Sequence, residues 1–162
     1  MSDPTSPVPT TTIGLDLGDQ TCTFCVLDAS GTVVERGTVA TTREALGERF
    51  GQRPAARIAL EATTHSPWIS RLLSGMGHEV HVAHPVASAR LIDRMRKTDR
   101  RDAEVLARTA RLDPQLLSPL RHRSEQQQTD RAMLLSRHHL VCARTRLVHV
   151  VRGTVKALGG GR

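Results

Sequence analysis

The chain has no tyrosine, and its aromatic side chains are two phenylalanines and one tryptophan in 162 residues. Stacking bases on aromatic rings, a common way to hold single-stranded nucleic acid, therefore has little to work with. Cysteine is equally sparse. Cys22, Cys25 and Cys142 are odd in number and widely placed, which argues against a disulfide framework. Cys22-x-x-Cys25 has metal-type spacing, but there is no second pair, and its surroundings alternate like a strand. Positions three apart on a strand face opposite ways, so these read as two buried thiols. No apolar run approaches the ~20 residues of a membrane span, and MSDPTSPVPTT lacks the basic-then-apolar pattern of a secretory leader. The chain reads as cytoplasmic, with no membrane partner.

Positive charge is what the sequence has in excess. Lys and Arg total 23 against 16 Asp and Glu, a formal charge of +7, which suits a polyanion such as nucleic acid. Arginine-rich composition also follows from GC-rich codon usage, so charge alone names no site. The length allows one domain with a real core plus an appendage.

Residues 1–10 are rich in Pro, Ser and Thr and read as a disordered tail. From Ile13 to Ala40 three alternating segments, with DASG as a turn holding Asp28, predict an antiparallel meander. Thr41-x-x-Glu44 has capping-box spacing for a short helix from about Thr42 to Gly51. RIALEA follows as a buried strand ending at Glu61. Ser66-Pro67 predicts a capped helix start and Gly77 its stop, with Trp68, Ile69, Leu72, Leu73 and Met76 on one face. EVHVAHP predicts a fifth strand. The order is that of a mixed α/β sheet with parallel crossovers.

Arg121 to Leu158 differs in kind. Ser124-x-x-Gln127 can cap a long helix on which Leu140, Ala143, Leu147, Val150, Thr154 and Ala157 recur at spacings of three and four. That seam suits a partner helix. Val141, Val148, Val151 and Val155 widen the apolar face, so packing on the same domain is an equal alternative. The chain closes on GGGR with no finishing element, as a fragment would.

KTDRRDAEVLARTA, residues 97–110, puts Asp99 and Asp102 three apart at a helix start. Alone, they could be an N-cap and a first-turn residue favoured by the helix dipole. That leaves two other acids unexplained. Asp16 within IGLDLG and Glu61 after IAL are costly to bury unless something pairs with them. Two divalent ions held about 3.5–4 Å apart by shared carboxylates offer that pairing, and are a standard device for displacing a phosphodiester oxygen. Hard oxygen ligands suit Mg²⁺ or Mn²⁺.

An acid on the first strand, one on the fourth and acids on a later helix resemble the RNase H and RuvC arrangement. More closely, GLDLGDQT, ALEATTHSPW and RKTDRRDAEVLARTA resemble the signature segments of the DEDD transposases of the insertion-sequence-110 family, over about Thr11 to Leu158. KTD-x-x-DA-x-x-LA is the most specific part. The resemblance implies an RNase H-like (RuvC-like) α/β fold: a mixed five-stranded sheet with flanking helices, then a long C-terminal helix. It implies a catalytic domain over 11–120, while the helix seam itself predicts a coiled-coil or dimerisation segment over 121–162 and a homodimer or higher oligomer. Asp16, Glu61, Asp99 and Asp102 would be the catalytic, metal-holding acids, with two Mg²⁺ or Mn²⁺ ions as cofactors, DNA as substrate and an element-encoded guide RNA as partner. His84-Pro85 stands where the family usually has Asn-Pro, and Thr64-His65 where it has a glycine. Family members continue into a second domain whose serine links to DNA. This chain ends before it, so no serine here is assigned as nucleophile.

Arg90, Arg94, Arg96, Lys97, Arg100 and Arg101 crowd around the acidic pair, where a phosphate backbone would have to pass. They are the candidate nucleic-acid contacts. His78, His81 and His84 have a tempting spacing, but on a strand His81 points away from the other two. Three other functions compete. A non-catalytic DNA-binding and dimerising module would need no metal, and a Holliday-junction resolvase-like nuclease would share the acids. An actin-like ATPase, suggested by IGLDLG before a hairpin, would need a second glycine-rich phosphate loop and about twice the length.

Overall fold

A computed structural model describes residues 9–85 and 99–160, with the side chains of Asp99 and Arg100 outside the described set. The expected tail up to residue 8, and Arg90, Arg94, Arg96 and Lys97, also lie outside the described residues. The chain divides into two units, meeting in sequence at Arg121 and His122.

The first unit is built on strands β1 (Thr12–Leu17), β2 (Thr21–Leu27), β3 (Val33–Ala40), β4 (Arg57–Glu61) and β5 (Glu79–Ala83). Among the described residues its helices are α1 (Arg43–Phe50), α2 (Ser66–Gly75) and α3 (Asp99–Leu112), followed by a 3₁₀ turn at Pro114–Leu117. The sheet order is β3-β2-β1-β4-β5, antiparallel from β1 through β3 and parallel from β1 through β4 to β5. This is the mixed five-stranded sheet that the sequence led one to expect.

Period-two alternation decides what each face touches. Ile13, Leu15, Leu17, Cys22, Phe24, Val26, Ile58, Leu60 and Val82 enter one core with Leu46 and Phe50 of α1 and Ile69 and Leu73 of α2. The residues between them face the other way. There Cys25 and Leu27 meet Ala103 and Ala107 of α3, while Ala59 and Ala83 meet Leu106, Ala110 and Leu117. Cys22 and Cys25 thus lie in different cores as buried free thiols. Burial, above all, pushes both thiols up.

The β2–β3 turn is closed by Asp28, whose Oδ1 accepts from the backbone N–H of Ser30 (2.8 Å) and Thr32 (2.9 Å). Bonds from Ser30 and then Thr32 hold this exposed carboxyl below its ordinary range. Gly31, at φ 86°, supplies the left-handed residue the turn requires. Asp28 is therefore a turn residue, as expected.

Two capping expectations are corrected. Thr42, not Thr41, caps α1, accepting from Ala45 N–H at 3.2 Å, while Thr41 donates its hydroxyl to Gly18 C=O at 2.8 Å. Ser66 does not cap α2. Its hydroxyl folds back to donate to Thr63 C=O (2.8 Å) and accept from Thr63 N–H (3.1 Å), and the N-cap His65 makes no side-chain cap bond. Gly77, at φ 89°, ends that helix segment as its sequence position suggested.

The second unit is the helix α4 (Glu125–Ala157), begun by a complete capping box between Ser124 and Gln127. Leu140, Leu147 and Val150 of the apolar seam are 71, 66 and 59 % exposed. No helix among the described residues is long and apolar enough to cross a membrane.

Candidate active site

β1 and β4 are neighbours and parallel, in register through Leu15 and Leu60. The next residue on each strand is Asp16 and Glu61. Equivalent positions on adjacent parallel strands share a face, so both acids lie on the α3 side, half-buried at the strand ends.

α3 runs the opposite way across this face. Near the strand starts, Arg57 Nη1 donates to the carbonyl of Ala110 at 3.3 Å. From Arg57 to Glu61 the strand advances by ~13 Å, and from Ala110 back to Asp102 the helix covers ~12 Å. Asp102 therefore stands level with the strand ends that carry Asp16 and Glu61. It is buried, at 4 % exposure. Asp99 opens the same helix one turn earlier.

The helix can lie so close because Gly14 has no side chain. A Cβ there would overlap the carbonyl oxygen of Ala103 and stand 2.6 Å from Ala107 N. Sequence reasoning assigned Gly14 no role, although a glycine inside a strand signals close backbone approach.

Glu104, the other acid of this helix turn, is explained by ion pairs with Arg36 of β3 and Arg108, the latter at 2.7 Å. Burial raises its carboxyl, but the bonds from Arg108 and Arg36 outweigh that and hold it below its ordinary range. His78 is a core residue. Its Nδ1 accepts from Ala56 N–H at 3.2 Å and its Nε2 lies 3.1 Å from Phe50 C=O. His81 is bonded to Glu79 at 2.7 Å, so His78 and His81 are engaged separately, each with its own partners.

Of the six candidate basic residues, Arg101 is exposed on α3. Arg100 opens that helix with its side chain outside the described set, and the other four lie outside it entirely. Among the described residues, which leave out the Asp99 side chain, no three of His, Cys, Asp and Glu stand close enough to hold an ion by themselves. In chemistry the four acids fit a hard divalent cation, since every donor is a carboxylate oxygen. In placement, β1, β4 and α3 bring Asp16, Glu61 and Asp102 to one end of one sheet face.

The DEDD transposase model of the insertion-sequence-110 family, described as "Transposase", matches residues 13–158. No curated protein matches the chain. Among solved structures, RuvC of Thermus thermophilus in complex with a Holliday junction substrate is similar at 14 % identity and a TM-score of 0.46, covering 65 % of this chain and 97 % of that one. A second Thermus thermophilus RuvC structure gives 15 %, 0.44, 64 % and 96 %. A ROK family protein from Streptococcus pneumoniae with sucrose gives 15 %, 0.38, 51 % and 37 %. With its family model matched over nearly the whole length, the chain belongs to the DEDD transposases of the insertion-sequence-110 family.

Proposed function

We propose that this chain is the catalytic part of a DNA transposase that cuts and exchanges strands with two divalent ions, Mg²⁺ or Mn²⁺, held by Asp16, Glu61, Asp99 and Asp102. The observation that carries this reading is the placement of Asp16 and Glu61 on paired strand ends, beneath the helix that brings Asp102 to the same level. When bound, such ions polarise the phosphodiester and stabilise its attacking and leaving oxygens. The protein's own part is to fix the carboxylates. Asp16 and Glu61 are set by strand register, and Asp102 by a helix seated on Gly14. The deciding experiment is metal-dependent strand cleavage with each acid replaced in turn. Full activity in any one of the four variants would count against that acid.

Residues 11–120 would form the catalytic domain and 121–162 the segment that joins copies of the chain. A contiguous apolar stripe in water favours association. Leu147→Asp, placing a charge at a 66 % exposed seam position, is expected to convert dimers or larger oligomers to monomers in sedimentation. An unmodified chain that is already monomeric at high concentration would sink this.

DNA would approach along the basic residues beside the acids, by backbone contact. Sequence choice is assigned to a guide RNA, the partner that family membership implies. Each phosphate neutralised on duplex DNA steepens the log–log salt dependence of binding by about 0.9. Replacing Arg96, Lys97, Arg100 and Arg101 with alanine should flatten that slope by up to about 3.6 and weaken all sequences alike. An unchanged slope would leave these residues as a solvated face.

A further inference from the structure

Two loops leave the sheet at the end where Asp16 and Glu61 stand. Residues 18–20, between β1 and β2, carry Asp19, and residues 62–65, between β4 and α2, carry His65. His65 Nε2 lies 3.3 Å from Asp19 Oδ1. On its other side, Nδ1 accepts from Trp68 Nε1 at 3.3 Å, with the two rings edge to face. Because Nδ1 spends its lone pair on Trp68, the proton of the neutral ring sits on Nε2, directed at Asp19.

Each loop is also held from its own side. Thr41 N–H donates to Gln20 C=O at 2.9 Å and its hydroxyl to Gly18 C=O, while His65 N–H donates to Thr63 Oγ1 at 3.3 Å. Trp68 in turn carries the Arg43 guanidinium 5.3 Å from its ring centre. The His65–Asp19 contact thus joins two anchored loops, beyond the last registered pair Leu15–Leu60.

The geometry points to His65 as a positioning residue that acts through Asp19, tying the loop after Asp16 to the loop after Glu61 and limiting how far those two carboxylates splay. This rests on reading the acids as metal ligands. Like charges on adjacent strand ends repel one another, whereas a shared divalent ion needs them together. A link that restrains the loops beforehand removes part of that cost from binding. Asp19 is 97 % exposed, so the effect should be modest, up to about fivefold in ion affinity.

The test is calorimetric titration of Mn²⁺ into the full chain. His65→Ala should weaken uptake by up to about fivefold, and His65→Gln, which keeps both a donor and an acceptor, should recover most of it. Asp19→Ala also removes a negative charge, so its own loss is ambiguous, but the double-mutant cycle isolates the coupling. In the Asp19→Ala background, His65→Ala should cost nothing further. Wild-type affinity in His65→Ala, or an equal loss in both backgrounds, would overturn the clasp while leaving the metal site standing. Should His65→Ala not fold, Asp19→Ala serves instead, and its coupling-dependent loss should vanish in His65→Phe; an undiminished loss there would overturn the clasp. Failure of the underlying reading looks different: the wild type takes up no Mn²⁺, or uptake survives Asp16→Asn.

Discussion

Gly14→Ala is expected to destabilise the protein by at least about 3 kcal/mol, the upper end of what overpacking usually costs. The added methyl would collide with the Ala103 carbonyl and stand 2.6 Å from Ala107 N, and neither is a side chain that can swing aside. α3 would have to lift from the sheet, breaking its contacts with Cys25, Leu27, Ala59 and Ala83 together. The sign is the telling part. At an unstrained site, Gly→Ala usually stabilises by about 0.4–1 kcal/mol through the unfolded chain. Urea unfolding measures the difference directly. Since α3 carries Asp102, any folded Gly14→Ala protein should also lose Mn²⁺ uptake. Wild-type stability in this variant would mean that the helix does not sit on Gly14.

Asp102→Asn is expected to lower metal-dependent strand cleavage by a factor on the order of 10³ or more, since a lost ligand forfeits several kcal/mol of charge stabilisation in the transition state. The side chain is nearly isosteric, so the fold should survive. Asp16→Ala should go further in one respect. Without metal it removes one of several clustered negative charges, and its melting temperature should equal or exceed that of the wild type. With Mg²⁺ the order should reverse, because only the wild type gains from the ion. Equal melting temperatures for wild type and Asp16→Ala at every Mg²⁺ concentration would contradict that reversal.

Much of the sheet was legible because its signals are local. Ile13, Leu15 and Leu17 alternate with Gly14 and Asp16, and DASG supplies the turn that Asp28 and Gly31 close. The Ser124–Gln127 capping box was equally plain, since both of its bonds fall within one turn. The fourth and fifth strands were found as short apolar runs, and their parallel pairing followed from the helices between them. What escaped depends on contacts distant in sequence. Thr41 looked like a helix cap because nothing nearby reveals that its hydroxyl binds Gly18. Ser66 looked like one because its return to Thr63 competes with the same local signature. His65 and Asp19 are 46 residues apart, and only the adjacency of β1 and β4 brings them together.

The acids divide in the same way. Asp16 and Glu61 drew notice as charges among apolar neighbours, and strand register puts them side by side. Asp102, taken alone in the sequence, reads more readily as a first-turn helix residue. Its burial at 4 %, level with the two strand ends, is a tertiary fact.

The most direct test of the four-acid site is a crystal of the chain soaked in Mn²⁺, with anomalous density located against the four carboxylates. Expected is density bounded by Asp16, Glu61, Asp99 and Asp102 that disappears in Asp102→Asn. An occupied Mn²⁺ site elsewhere, with clean maps between these four acids, would contradict it.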